Sequence, residues 1–341
     1  MLENTDKIPQ NAERRTQNAE PLFAHLKAEI KKHPIIYCPA RFVKRIVVDF
    51  PLSIKLFIKW QIYKHTVKFN RNSLNTTEQR QRKIIASLTS YPARINVVPY
   101  VIASLLNQTM KPDKIILWLG NQHFPDEKLP PIFDELKLCG VDVNFREDLR
   151  AHTKYFHAVR EYPEDIVITF DDDIVYQPHI IETLYKSYLE HPECVSAMRT
   201  HKITFLPDGN IAPYASWKWE YSGAKGQESH IWLATGVGGV LYPPKCLPAE
   251  TFNTEAVKKL CLRADDVWLK FMELMNGTKV VPASDNGRLQ GFGVPVSQKL
   301  ALLVDNVSNG GNDTQVSAVL EAYSDWRDPD GKTLLELIRD N

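Results

Sequence analysis

The chain has 341 residues, 43% of them hydrophobic and 24% charged, with a formal net charge of +1. That length supports one large α/β domain with appendages or two small domains, and the composition is that of a globular protein. The near-zero charge argues against wholesale nucleic-acid binding. Five cysteines without CxxC spacing argue against a zinc or disulfide scaffold and fit a reducing compartment.

The opening Met1-Leu-Glu-Asn-Thr-Asp6 is polar and acidic, unlike a signal peptide, and no run of eighteen uncharged apolar residues offers a bilayer span. A cytoplasmic protein is therefore expected. Pro21 to Lys32 has the spacing of one short amphipathic helix. From Pro39 to Asn70 aromatic and aliphatic residues are interleaved with Lys and Arg, and Pro51 suggests a helix on each side of it. Between Arg41 and Lys83 there are eleven Lys and Arg but only two acids, Asp49 and Glu78. Two readings follow. The segment is an interfacial element on an anionic membrane surface, which would put the protein peripherally on the inner face of the cytoplasmic membrane. Alternatively it packs on the main domain with its lysines snorkelling into water. Residues 1–82 are thus expected as a helical, basic N-terminal region.

A polar linker leads to Lys83, where alternation begins. Strands are expected at Ile84–Leu88, Asp113–Leu119, Val141–Phe145 and Ile166–Phe170. Helices are expected at Val97–Gln108, Pro131–Leu138, Ala151–Glu161 and Pro178–His191. Strand–helix alternation with short loops predicts right-handed parallel crossovers and a doubly wound α/β sheet. Beyond it lies a Trp/Tyr/Gly-rich stretch, Tyr214 to Gly226, with the composition of a binding loop or of ordinary packing. Ala234-Thr-Gly-Val-Gly-Gly-Val-Leu-Tyr-Pro-Pro244 reads as a glycine-rich turn into a strand; it lacks the Lys-Ser/Thr ending of a phosphate-binding loop. Thr254–Cys261 reads as a helix, the segment from Ala264 to Met275 as another, and Lys279–Pro282 as a last strand. Helices at Gln315–Tyr323 and Lys332–Arg339 close the chain.

The organising stretch is Ile166-Val-Ile-Thr-Phe-Asp-Asp-Asp-Ile-Val-Tyr176. A five-residue apolar run ends in Asp171, Asp172 and Asp173, and open α/β sheets bind ligands at the carboxyl ends of their strands. Like charges about 4 Å apart repel by about 1 kcal/mol in water and about 4 at an effective dielectric of 20. Such a triplet either splays into solvent as an acidic turn or holds a cation, and its hard oxygens favour Mg²⁺, Mn²⁺ or Ca²⁺ over zinc. Asp265 and Asp266 open a helix, where the dipole stabilises anions by about 0.3–1 kcal/mol. They are either helix-terminal caps, or a cap beside a base that faces substrate.

Taken together, Ser87-Leu-Thr-Ser-Tyr-Pro-Ala-Arg94, Ser104-Leu-Leu-Asn-Gln-Thr109, His152-Thr-Lys154, the Asp171–Asp173 triplet, Thr235-Gly-Val-Gly-Gly239 and Ala264-Asp-Asp-Val-Trp268 resemble the nucleotide-sugar glycosyltransferases of the GT-A fold. Within them the chain is most similar to bacterial enzymes of capsule and lipopolysaccharide synthesis. The resemblance runs from about Lys83 to Tyr323. It implies a mostly parallel sheet with helices on both faces, with a catalytic domain at 83–305 and a helical tail at 306–341. The implied donor is a UDP- or GDP-sugar, the acceptor a glycan or lipid-linked glycan, and the cofactor Mn²⁺ or Mg²⁺. By the same resemblance, Asp173 holds the metal against the donor diphosphate, with Asp171 facing the ribose or the metal's water shell and Asp172 between them. Thr89, Tyr91 and Arg94 line base and ribose, and Lys154 meets the diphosphate or the acidic motif. Asp266 is the general base of an inverting transfer, with Asp265 as cap or acceptor ligand. Trp217, Trp219, Gly238 and Gly239 are the expected acceptor side. The family's later histidine ligand has no counterpart, since the last histidine is His230; Asp285, Asp305 or Asp313 could stand in for it. A nucleotidyltransferase of similar fold, or a non-catalytic, membrane-docked sugar-binding protein, are the competing expectations.

Overall fold

The computed structural model describes residues 50–295 and 311–340. The helix expected at Pro21–Lys32, the basic run before Phe50, and Asp305 lie outside them. The described residues fall into two units, one ending at Lys59 and one running from Trp60. Helix α1, Phe50–Thr66, carries Pro51 in its first turn. There a missing N–H costs nothing, and the helix expected after Pro51 is present, whereas the one expected before it lies outside the described residues. In the second unit Trp60 is buried. It packs edge-on to Tyr100 at 5.5 Å, and Tyr63 sits edge-on to Phe292 at 5.8 Å. Part of the basic helix is therefore core, as the packing reading required. Ile54, Phe57, Ile58 and Ile62 remain exposed.

The alternation from Lys83 onward is present: β1 Ile84–Ser90, α2 Val98–Leu106, β2 Lys114–Gly120, α3 Ile132–Leu138, β3 Val141–Arg146, α4 Thr153–Glu161 and β4 Ile166–Phe170. Every residue of β4 is buried, the signature of a strand covered on both faces. Ile84, Ala86, Leu88, Ile166, Ile168 and Phe170 join the core with α2 and α5 (Ile180–Glu190). Ile85 and Val167 point the other way and pack with Ala158 of α4 and Trp118 of β2. The period-two alternation of side chains thus serves two helical layers. Gly140, at φ +83°, closes α3 in the left-handed conformation that helix ends commonly adopt.

The remaining strands are short: β5 Ile174–Tyr176, β6 Val195–Ala197, β7 Thr200–Lys202, β8 Trp232–Ala234, β9 Val240–Tyr242, β10 Val280–Pro282 and β11 Gly291–Gly293. The main sheet runs β10-β6-β9-β4-β1-β2-β3. All neighbours are parallel except β9, which lies antiparallel between β4 and β6. The architecture is the expected α/β one, a mostly parallel sheet with helices on both faces. The antiparallel insertion and the small pairs β5–β11 and β7–β8 were not foreseeable, because three residues carry too little periodicity to read.

The second core is built around α7 (Asp265–Met275), with Trp268 fully buried at its centre, after α6 (Thr254–Leu260). The C-terminal helices α8 (Gly311–Ala322) and α9 (Leu334–Arg339) insert Val316, Val319, Leu334 and Ile338 into that same core. The described part of the expected helical tail, residues 311–340, thus contributes to the core of the second unit. Thr333 and Glu336 form a reciprocal capping box at the start of α9. Replacing Ile338 by Ala is expected to cost about 2–5 kcal/mol, the usual penalty for a buried Ile truncation. Urea denaturation followed by Trp fluorescence measures it, and a value near zero would show the tail to be detachable.

Candidate functional site

The site is a consequence of strand register. Leu88 of β1 lies beside Phe170 of β4, so the loops that follow them leave the sheet together. Because β9 runs the other way, Val240 pairs with Thr169 and with Ala197. The glycine-rich loop before β9 and the residues after β6 therefore reach that same edge.

The aspartate triplet splays there. Asp172 turns inward: its carboxylate accepts from Ser90 Oγ at 2.6 Å and from Arg94 Nη1. Arg94 Nη2 also reaches Asp173 Oδ2 at 3.2 Å. Burial pushes the Asp172 carboxyl up, a shift that Arg94 and Ser90 oppose. The guanidinium would lose its proton more easily by burial, but Asp172 and then Asp173 outweigh this and raise its pKa. Arg94 also lies over the Tyr91 ring, 5.3 Å from its centroid, and Thr89 donates to the Trp118 carbonyl at 3.0 Å. Thr89, Tyr91, Arg94 and the triplet are thus brought together. Asp172 serves as the buried anchor of Arg94, a more structural position than the donor-facing one expected of it.

Asp171 faces the other way. Lys154, from the first turn of α4, places Nζ 3.0 Å from Asp171 Oδ1 and 2.9 Å from Asp265 Oδ2. The lysine side chain is 6% exposed. Burial alone would drive its pKa down, but Asp171 and Asp265 outweigh burial and raise it, so it carries a firm positive charge. Ser87 Oγ donates to the Lys154 carbonyl and accepts from Trp118 Nε1 at 2.9 Å, which ties the start of α4 to the sheet. The backbone N–H of Asp171 donates to the Tyr176 hydroxyl at 2.8 Å.

Asp265 and Asp266 are not helix caps. Ala264 holds the cap position with no side-chain bond; Asp265 is spent on Lys154, while Asp266 Oδ1 accepts from the adjacent Val267 N–H at 2.9 Å. Asp266 keeps some exposed surface yet is densely surrounded. Desolvation first, then the charge of Asp265, pushes its carboxyl up to about 7, against the pull of Lys154 and Arg199. A carboxylate poised near neutrality is suited to proton transfer.

Three further residues contribute: His152 and Gly236, which belong to the motifs His152-Thr-Lys154 and Thr235-Gly-Val-Gly-Gly239 without a role assigned there, and Arg199, which had no signal in the sequence. His152 Nε2 bonds the Cys261 carbonyl at 2.8 Å, so it must carry the proton there, and Nδ1 accepts from the Tyr155 hydroxyl at 2.9 Å. Burial lowers its pKa, and the neutral ring pins the turn leading into Asp265. Arg199, after β6, donates from Nε to Thr235 Oγ1 at 2.8 Å and pairs with Glu220 at 3.2 Å. A Cβ on Gly236 would meet Lys154 Nζ at 2.7 Å and Asp171 Oδ1 at 3.2 Å. The glycine that matters at the charged centre is therefore Gly236. Gly238 and Gly239, at φ +103°, are buried against Met198 and Phe170 respectively. Trp217 is buried too, its indole donating to the Ala212 carbonyl at 2.8 Å. Trp219 alone of the expected acceptor group keeps an open surface, stacked on His201 at 5.1 Å. Of the proposed substitute ligands, Asp285 accepts from the Lys225 N–H and Asp313 from the Tyr214 N–H.

Among the described residues no group of three or more His, Cys, Asp or Glu side chains forms a cage for a metal ion. The donor set nevertheless suits a hard divalent ion that arrives with phosphates. Mg²⁺ in particular is usually held by one or two carboxylates plus substrate oxygens. Asp171 and Asp173 are the candidates; Lys154 pairs with Asp171 and Asp265, and Arg94 with Asp172 and Asp173.

No family model and no curated protein matches the chain. Among solved structures, it is similar to a mannosyltransferase from Pyrobaculum calidifontis in complex with GDP-Man and Mn²⁺, with TM-score 0.44 and 11% identity over 84% of this chain and 79% of that one. It is also similar to glucosyl-3-phosphoglycerate synthase from Mycobacterium tuberculosis in complex with Mn²⁺, UDP and phosphoglyceric acid, with TM-score 0.27 and 16% identity. That match takes in 36% of this chain and half the length of the synthase. Likenesses this distant carry no assignment, which has to come from the site itself.

Arg94→Ala would take the guanidinium away from two buried carboxylates. The expected cost is about 3–5 kcal/mol, as for other broken buried pairs, read from the denaturation midpoint. A loss under about 1 kcal/mol, the scale of an exposed pair, would show that Arg94 is not what holds the triplet.

Proposed function

We propose that the protein is a metal-dependent glycosyltransferase that moves a sugar from a UDP- or GDP-sugar to a glycan or lipid-linked glycan hydroxyl, with inversion, in bacterial capsule or lipopolysaccharide synthesis. The observation that carries this reading is the Asp171–Lys154–Asp265 bridge. It joins the acidic motif at the end of β4 to a second acidic pair, one member of which has a near-neutral pKa.

In this reading Thr89, Tyr91 and Arg94 border the nucleoside, and Asp171 and Asp173 would hold Mn²⁺ or Mg²⁺. Such an ion supplies Lewis-acid neutralisation of charge on the departing diphosphate. Asp266 takes the proton of the acceptor hydroxyl. The hydroxyl oxygen then bonds to the anomeric carbon from the face opposite the diphosphate, the carbon–oxygen bond to the diphosphate breaks, and the nucleoside diphosphate leaves. Asp265 is engaged by Lys154, which leaves Asp266 as the available base. Trp219 offers an aromatic face for a sugar ring.

A panel of UDP- and GDP-sugars with Mn²⁺, assayed for nucleoside diphosphate release, tests the reading. Asp266→Asn is expected to lower kcat by about 10²–10⁴-fold, the usual contribution of a positioned base. The base must be ionised, so kcat/KM should rise with pH through about 7 and level off above it. Asp265, Lys154, Arg199, Tyr214 and Cys261 are the charged and titratable groups around it. Neither donor binding nor turnover across the panel would end the proposal.

The basic α1 would dock the enzyme on an anionic membrane. The helix holds Lys55, Lys59 and Lys64 and no acid, beside exposed Phe57 and Ile58. Flotation with phosphatidylserine vesicles should recover the protein, and Phe57→Glu with Ile58→Glu should leave it at the bottom of the gradient. Equal recovery of both would remove the membrane from the picture.

A further inference from the structure

Lys154 occupies one carboxylate oxygen of Asp171, Oδ1, and competes there with any cation that would take it. Its ammonium is within 3.0 Å of both Asp171 and Asp265, enclosed by the sheet edge, and held down by Gly236, whose missing Cβ is the space the ammonium uses. Arg94 does the same for Asp173 at 3.2 Å. Both carboxylates suited to a divalent ion therefore begin with a resident protein cation.

We infer that Lys154 is a specificity-determining counter-ion that excludes free divalent metal from Asp171 and yields only to a metal ion delivered with a nucleotide diphosphate. This rests on the glycosyl-transfer reading for the identity of the ligand. The exchange is balanced in charge. Lys154 loses one carboxylate and keeps the other, Asp265, so its ammonium is never left unpaired in a buried place, which would be costly. A free ion would have to displace that ammonium with only carboxylate and water to gain. A metal–diphosphate brings its own phosphate oxygens, and these give the released face of the ammonium an anionic partner. Asp265 is thus the second seat that makes the displacement affordable, and Gly236 keeps the path between the two seats clear.

The test is Mn²⁺ binding followed by electron paramagnetic resonance, with and without UDP or GDP and with no sugar donor present. The wild-type protein should bind Mn²⁺ at least tenfold more tightly with the nucleotide than without it. Lys154→Met should bind Mn²⁺ alone at least tenfold more tightly than the wild type does, and so lose most of its dependence on nucleotide. Asp265→Asn should act in the opposite direction, weakening Mn²⁺–nucleotide binding several-fold, because Lys154 then has only Asp171 to hold. This second variant retains the buried lysine with a partner, so the idea stays testable if the methionine variant does not fold. Nucleotide-dependent Mn²⁺ binding in the wild type, with no gain in Lys154→Met or no loss in Asp265→Asn, would overturn the inference while sparing the glycosyltransferase reading. Absence of Mn²⁺ binding under every condition would overturn both.

Discussion

One buried ammonium holds the two halves of this molecule's chemistry in register. Lys154 sits between Asp171, at the end of a central strand, and Asp265, at the start of a helix in the second core. A buried ion pair is weak grounds for stability, since desolvation offsets most of the attraction. Its value here is positional. The helix that carries Asp266 has no side-chain cap to fix its first turn, and the lysine supplies the restraint from across the site.

The surroundings follow from that arrangement. Arg94 anchors the inner side of the triplet through Asp172 and Asp173, and Ser90 completes the bonds of Asp172. Neutral His152 fixes the turn at Cys261 from below. The outcome is a graded set of carboxylates: Asp172 and Asp173 buried against Arg94, Asp171 and Asp265 sharing Lys154, and Asp266 with its carboxyl pushed up to about 7. Like residues acquire unlike roles because their neighbours differ.

Much of this was legible in the chain itself. The strand Ile166–Phe170, its buried character and the convergence of its loop with Thr89–Arg94 follow from an apolar run, short loops and the handedness of crossovers. Local patterns could not disclose partners distant in sequence. Nothing near Asp265 announces that it will meet Lys154, and nothing near Trp217 separates a core indole from an exposed one. The glycines illustrate the same limit. Gly236, Gly238 and Gly239 look equivalent in Thr235-Gly-Val-Gly-Gly239, but only the first abuts Lys154 and Asp171. The strands β5, β7 and β11 exist through pairing, which a single sequence does not display.

The reversed direction of β9 has a consequence for how such a protein can change. Because Ala197 and Val240 are paired neighbours, everything between them departs from one spot on the sheet and returns to the same spot. Residues 198–239, with Trp219 and the β7–β8 pair, form an excursion whose two ends are stapled together. Its exposed turns can change in length without shifting a register in the parallel strands that position Asp171 and Asp173, while Arg199, Gly236 and the buried Trp217, Trp232 and Leu233 stay tied to the charged centre and the second core. The fold thus separates a chemical floor fixed by the parallel strands from the exposed turns above it, and what overhangs the site can vary through those turns.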